Sequence, residues 1–307
     1  MLYRNFGKTG EKVSILGFGC MRLPLLSGGD STKIDKEKAI KIIRYAIDRG
    51  VNYVDTAYTY HGNSSTKGGA GEPLVAEALK NGYREKVNLA TKLPSWLITK
   101  RSDMDKYLNE QLERLQTDHI DFYLIHSLNR ENWKKVKENG VDEFLDSAIK
   151  DGRIRYAGFS FHDKLDLFKE IVDYYNWSFC QMQYNYSDEN FQAGTRGLKY
   201  AAQKGLGITI MEPLRGGKLV NSLPKEAMDT FDRSNFKRTP AEWGLRWVWN
   251  HPEVKVVLSG MNSMEQVKEN IKTADKARAN SLTEKELKLI DKVKDVFNAK
   301  IKVNCTG

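Results

Sequence analysis

The segment Asp55-Thr56-Ala57-Tyr58-Thr59-Tyr60 sets a carboxylate five residues before a tyrosine, and Lys92 and His126 follow downstream. A tyrosine hydroxyl is a poor acid at neutral pH, with an ordinary pKa of about 10. A nearby ammonium favours the ionised form and lowers that value. Lys92 offers such a charge, Asp55 offers the lysine a charge-assisted hydrogen bond, and His126 offers to orient the oxygen that receives the proton. Together they suit a single chemical step, in which a carbonyl oxygen receives a proton as hydride reaches its carbon. Singly, each residue has a plainer role. Tyr60 reads as a loop aromatic, Asp55 as a cap and His126 as a core histidine. Lys92 resists that treatment, because a lysine closing a buried strand needs a carboxylate or a ligand.

Positioning these four groups requires elements that converge. After a hairpin-like start (Tyr3–Phe6, a turn at Gly7-Lys8-Thr9-Gly10, then Glu11–Ser14), short β-rich runs alternate with longer helical ones. The strand candidates are Ile15–Gly19, Val51–Val54, Val87–Thr91, Ile120–Ile125, Ile154–Phe159, Phe179–Met182, Gly207–Met211 and Val254–Leu258. Helix candidates lie between them: Asp35–Arg49, Glu72–Asn81, Ser102–Leu115, Val141–Lys150, Lys164–Tyr174, Ala193–Gln203, Pro240–Trp249 and Met264–Lys272. Asp35 is a cap and Gly50 a stop for the first of these. Alternation of this kind predicts an α/β fold, a (β/α)8 TIM barrel with an N-terminal β-hairpin, over residues 1–300. Leu282–Ala299 reads as a C-terminal helix packed outside the barrel. An open doubly wound sheet is the rival, weakened by the lack of a Gly-x-Gly-x-x-Gly turn after an early strand. In a barrel, Asp55, Lys92 and His126 follow three consecutive strands and meet at one mouth. Ser160, Gln181, Glu212 and Ser259 close later strands, and the Gly-rich loops Gly28–Ser31 and Gly62–Gly71 lie over the same face.

Composition bounds the rest. The 307 residues are 40% hydrophobic and 29% charged, which suits a globular chain that buries a core without disulfides. No apolar run approaches the roughly 20 residues of a membrane helix, and Met1–Phe6 lacks a secretory signal's apolar stretch. Cys20, Cys180 and Cys305 are too few and scattered for a disulfide framework, so a cytoplasmic location is expected. The net charge of +9 raises nucleic acid as a partner. Its basic residues are interleaved with acids, as in Lys36-Glu37-Lys38, which reads as a solvated surface; neither nucleic acid nor membrane is an expected partner.

On these residues the chain resembles the aldo-keto reductase family along nearly its whole length. Tyr3–Gly10 and Ser14–Gly19 are similar to the family's opening hairpin and first strand. Asp55-Thr56-Ala57-x-x-Tyr60, Thr91-Lys92-Leu93 and Leu124-Ile125-His126 match its catalytic tetrad in order and context. The resemblance implies a nicotinamide hydride donor and a small-molecule aldehyde or ketone as substrate. It also implies cofactor contacts at Gly19, Cys20, Met21 and Asp55, and at Ser160 and Gln181 for the carboxamide. Phe161 stands where many members carry asparagine, and Met211 where many stack a tyrosine on the ring. Glu212-Pro213-Leu214-Arg215-Gly216-Gly217-Lys218-Leu219 resembles the pyrophosphate loop. Ser259, Gly260, Met261, Gln266, Glu269 and Asn270 resemble the adenosine-end segment, although Gly260 and Gln266 replace the Lys and Arg some members use for a 2′-phosphate. Lys218, Lys237 or Arg238 would compensate, which tilts the expectation slightly to NADP(H) over NAD(H).

The tail, residues 301–307, is similar to the start of a Cys-x-x-Cys in a subgroup whose barrel precedes a ferredoxin-like iron–sulfur domain. Cys305 is then an expected 4Fe-4S cluster ligand in a longer protein, against a free surface thiol. Two other functions compete with carbonyl reduction: a Schiff-base aldolase using Lys92, and a nucleotide-binding redox module with slow turnover and an electron-transfer partner. For the substrate pocket, loops Leu23–Ser31, Tyr58–Gly71, Pro94–Ile98 and Ser127–Asn132 supply the walls, with Tyr58, His61 and Trp96 as lining residues.

Overall fold

The computed structural model describes residues 1–26 and 29–300. A two-stranded antiparallel hairpin, β1 (Tyr3–Asn5) and β2 (Lys12–Ser14), precedes a closed barrel of eight parallel strands. These are β3 (Leu16–Gly19), β4 (Tyr53–Asp55), β5 (Asn88–Leu93), β6 (Ile120–Leu128), β7 (Ile154–Phe161), β8 (Phe179–Gln183), β9 (Gly207–Met211) and β10 (Val256–Ser259). They pair in sequence order, and β10 closes the ring on β3. Outside lie α1 (Lys36–Asp48), α2 (Gly71–Ala78), α3 (Arg101–Leu115), α4 (Arg130–Glu138), α5 (Val141–Lys150), α6 (Leu165–Tyr174), α7 (Gly194–Gln203), α8 (Lys218–Asn221), α9 (Lys225–Asp232), α10 (Pro240–Trp249), α11 (Met264–Ala274) and α12 (Glu284–Lys300). Among the described residues no helix is long and apolar enough to cross a membrane.

Strand alternation decides which side chains enter the barrel. Tyr53, Ala90, Phe122, Leu124, Phe179, Val256 and Leu258 form an inner apolar cluster. Their outward neighbours, including Val54, Leu89, Tyr123, Ile125 and Cys180, join the larger core between sheet and helices. Two residues beyond each inward position lies a polar group: Asp55 above Tyr53, Lys92 above Ala90, His126 above Leu124, and Gln181 above Phe179. The period of two thus carries the apolar filling of the barrel into a polar mouth.

The hairpin plugs the opposite end. Phe6 is fully buried, with ring centroids 4.9 Å from Phe122, 5.6 Å from Phe179 and 5.9 Å from Tyr53. Burying one such side chain is worth about 2–3 kcal/mol. The approach is close enough to need glycine: a Cβ on Gly7, at φ +56°, would stand 2.3 Å from the Gly207 nitrogen.

Predicted and observed elements differ mainly at their ends. The second strand is Tyr53–Asp55 rather than Val51–Val54, and the eighth is Val256–Ser259 rather than Val254–Leu258. β5, β6 and β7 run past Thr91, Ile125 and Phe159, so Lys92, His126 and Ser160 sit within strands instead of just after them. Helices α4, α8 and α9 have no counterpart among the helix candidates of the sequence. Each is short, and α4 buries only Asn132, Trp133 and Val136 of a mostly charged segment. The tail with Cys305, and Gly28 of the first mouth loop, lie outside the described residues.

Candidate active site

Lys92 is completely buried, and its ammonium spends all three hydrogens inside the protein. It donates to Asp55 Oδ1 at 2.7 Å, to the Thr56 carbonyl at 2.7 Å and to the Tyr60 hydroxyl oxygen at 3.4 Å. Because Tyr60 accepts from the lysine, its own hydroxyl hydrogen is left for another acceptor. His126 stands across the mouth, its ring centroid 6.1 Å from that of Tyr60 and nearly perpendicular to it. The β6–β7 register shifts just past Ile125, where the three steps from Ile125 to Leu128 span only two of β7, from Phe159 to Phe161. Ser127 adopts φ +54° there, and its N–H donates to Ser160 Oγ at 2.7 Å. Bulges of this kind re-aim a side chain at a barrel rim.

Burial and charge act on these groups in opposition. Burial pushes the Tyr60 phenol above its ordinary value, and Lys92 pulls it down without overcoming that effect. The lowering expected from Lys92 is therefore present but outweighed, and Tyr60 keeps its proton at neutral pH. Burial disfavours the Lys92 ammonium, yet Asp55 and Tyr60 together hold its pKa above the ordinary range. Burial also raises the Asp55 carboxyl, against the pull of Lys92. His126 is driven well below the usual histidine range, first by burial, then by Lys92 and His162. Its imidazole is neutral, and Nδ1 has no hydrogen-bond partner among the described residues. The aldolase reading finds no support in this arrangement: a Schiff-base nucleophile must be an accessible amine, whereas Lys92 is buried and paired with Asp55.

The loops after β3, β9 and β10 meet around Arg22. Ser160 and Gln181 are buried beside the mouth, and the Gln181 amide nitrogen approaches the Met211 sulfur at 3.5 Å while its Oε1 has no partner among the described residues. Phe161 points the other way, buried against Phe168 of α6 with centroids 5.1 Å apart. The loop after β9 holds four residues in the left-handed region: Glu212, Arg215, Gly216 and Gly217, at φ +53°, +50°, +64° and +88°. Two of the four, Glu212 and Arg215, are non-glycine residues in this sparsely populated region, and such residues cluster at ligand-binding loops. The Arg22 guanidinium reaches across from the loop after β3 to lie 3.7 Å from Glu212 Oε1. A Cβ on Gly216 or Gly260 would come within 3.3 or 3.2 Å of Arg22. The two glycines thus let the Arg22 side chain lie against both loops, and this half-exposed cation together with the unpartnered Gln181 oxygen fits a dinucleotide's diphosphate and carboxamide.

The structure separates the remaining candidates. Arg215 is buried rather than free for an anion: it lies 3.5 Å from Asp188, donates to Ser187 Oγ at 3.1 Å and covers the Phe297 ring. Met261 is fully buried in the core and Pro213 is buried, while Leu214 packs against the same core, so their side chains are committed to packing. Cys20 is buried and Met21 is exposed at the rim of the first mouth loop. Lys218 and Gln266 are exposed; Glu269 accepts from Thr239, and Asn270 donates to Ser259 Oγ at 3.0 Å. Arg238 is occupied by Glu286 and Glu242, which leaves Lys218 and Lys237 as the exposed cations of the three expected to meet a 2′-phosphate.

Of the expected pocket residues, Trp96 lies in place, with its ring 5.3 Å from that of His126. Tyr58 is a correction. It turns outward to α3, packing on Tyr107 and donating to Glu110 at 2.9 Å. His61 is a second correction: it is buried as a staple between loops, with Nδ1 2.9 Å from the Ser31 carbonyl and Nε2 3.0 Å from that of Cys20. Sequence reasoning missed Arg22 and the buried Glu72. Arg22 follows directly on Gly19-Cys20-Met21, and that adjacency is the signal the sequence carries for it.

Comparisons with known proteins find similarity along nearly the whole chain. The sequence profile described as Aldo/keto reductase family matches residues 15–295. Probable aldo-keto reductase 1 of Glycine max is 28% identical, over 92% of this chain and 86% of its own. The 6-dehydroglucose reductase of Novosphingobium aromaticivorans is also 28% identical, over 87% of this chain and 88% of its own. The solved holo form of aldo-keto reductase AKR11C1 from Bacillus halodurans shares 26% identity and superposes with a TM-score of 0.77, covering 95% of this chain and 96% of that one.

Proposed function

This chain belongs to the aldo/keto reductase family, as an oxidoreductase that reduces carbonyls with a nicotinamide cofactor, and from that premise we propose how its own residues do so. Tyr60 is the general acid, and its hydroxyl hydrogen passes to the carbonyl oxygen of an aldehyde or ketone. Lys92 stabilises the phenolate left behind, and Asp55 keeps the lysine charged and fixed. The neutral imidazole of His126 holds the carbonyl oxygen by a hydrogen bond. The bound nicotinamide supplies the hydride. Ser160, Gln181 and Met211 would hold its ring, and Gly216, Gly217, Gly260 and Arg22 the diphosphate. Lys218 and Lys237 favour NADP(H) over NAD(H). We assign residues 1–300 to this catalytic unit, and Trp96 to the substrate wall.

The observation that carries the reading is the shared lysine. One ammonium donates to both Asp55 and Tyr60, beside a histidine whose Nδ1 has no partner among the described residues. The test is NADPH oxidation with a panel of aldehydes and ketones, together with nucleotide titration by fluorescence. An oxidised sugar belongs in the panel, since one relative is named a 6-dehydroglucose reductase. Turnover that persists undiminished in Tyr60→Phe would refute the assigned acid.

A further inference from the structure

Glu72 lies in the first turn of α2 and is fully buried, yet it has no place in the proton transfer described above. Its two oxygens face different segments. Oε1 accepts from the Thr91 hydroxyl and the Gln111 amide, each at 2.8 Å. Oε2 accepts from Arg114 Nε at 2.8 Å. From these partners the contacts reach both catalytic segments. The Gln111 amide also donates to the Lys92 carbonyl at 3.1 Å, and its oxygen accepts from the Tyr123 hydroxyl at 2.8 Å. Arg114 donates from Nη2 to the Gly69 carbonyl. In the same loop the N–H groups of Gly69 and Gly71 donate to the carbonyls of Tyr58 and Tyr60, at 2.8 and 3.0 Å. One buried carboxylate therefore ties the backbone that carries Lys92 to the loop that carries Tyr60.

A buried ion pair is weak evidence for stability, because apolar groups of similar volume often serve as well. Its geometry here has a more specific consequence. The Lys92–Tyr60 contact, at 3.4 Å, is near the outer limit of a hydrogen bond, so a small relaxation of either segment would lose it. We propose that Glu72 is a positioning residue which, through Gln111 and Arg114, sets the separation of the Lys92 ammonium from the Tyr60 hydroxyl. The proposal rests on Tyr60 being the proton donor.

Two changes test it without altering the net charge near Tyr60. Gln111→Met cuts the link to Lys92 and keeps the Glu72–Arg114 pair. The double variant Glu72→Gln with Arg114→Gln removes both charges together. Fluorine NMR of protein labelled with fluorotyrosine, with the Tyr60 signal assigned through Tyr60→Phe, reads the ionisation of that one residue. The expected result is an upward move of roughly half a pH unit or more as Lys92 loses its hold. With it, kcat falls about tenfold or more, in line with the sensitivity of catalysis to misplacements near 1 Å. NADPH affinity stays within about twofold, since neither change touches the residues assigned to the nucleotide. Folded variants in which Tyr60 titrates as in the wild type would overturn the proposal, whatever their thermal stability, and leave Glu72 a packing element. If the double variant does not fold, Gln111→Met decides alone. The titration needs no turnover, so it remains informative even where no tested carbonyl is reduced, and the two failures stay distinct.

Discussion

The ammonium of Lys92 and the carboxylate of Asp55 meet at 2.7 Å with both side chains removed from water. Neither charge is tolerable there alone, because breaking a buried pair by removing one partner typically costs about 3–5 kcal/mol. The same pair fixes a positive charge beside Tyr60. Structure and chemistry thus depend on one contact.

Lys92→Met should fail in both respects. Chemical denaturation should show a loss of about 3–5 kcal/mol as Asp55 is left unpaired, and the remaining folded protein should reduce carbonyls far more slowly. A variant as stable as the wild type would mean that Asp55 finds another partner or becomes protonated at little cost.

Tyr60→Phe removes the proton donor and little else, since among the described residues the Tyr60 hydroxyl has a hydrogen bond from Lys92 alone. Turnover should drop roughly a hundredfold to ten-thousandfold, with nucleotide affinity unchanged by fluorescence titration.

Acid should destabilise this protein from about pH 6.5 downward. His126, His162 and His251 all have folded-state pKa values lowered by burial. Their unfolded forms take up protons first as pH falls, so the unfolded state binds more protons in that window and stability declines. Each such histidine contributes up to about 1.4 kcal/mol per pH unit. Urea midpoints measured between about pH 7.5 and 5 check the slope, and replacing His126 with Gln should flatten it. In turnover, the raised phenol of Tyr60 predicts that the alkaline decline of reduction lies above pH 10, with no inflection from His126 at its ordinary 6.5.

Arg22→Gln should weaken nucleotide binding by about 1 kcal/mol, a modest figure because the side chain is 47% exposed and screened. The loss should shrink as salt is raised. Equal affinity at low salt would place the diphosphate elsewhere.

Phe6→Ala should cost about 3–5 kcal/mol of stability through the cavity opened under the barrel. The mouth lies at the other end, so kcat at a temperature where the variant is folded should stay near that of the wild type.

Much of the architecture is legible in the order of residues. Strand-and-helix alternation leads to a barrel because right-handed crossovers leave few other closures. The period of two then brings Asp55, Lys92 and His126 to one face. Tyr60 and Trp96 lie beside His126, and Gln181 lies beside Met211, since each is one alternation or one loop away from the strand that directs it. Side-chain direction within loops is not legible. Tyr58 and Tyr60 are two residues apart in one turn, and only packing on α3 turns the first away. Arg215 reads as free for an anion until the fold brings Asp188 beside it. Arg22 and Glu72 stay hidden for the same reason: their partners, Glu212 and Arg114, are distant in sequence, and only tertiary structure makes them neighbours. The balance at Tyr60 is likewise decided in three dimensions. Sequence names the lysine that lowers its pKa, but the burial that outweighs it belongs to the closed barrel.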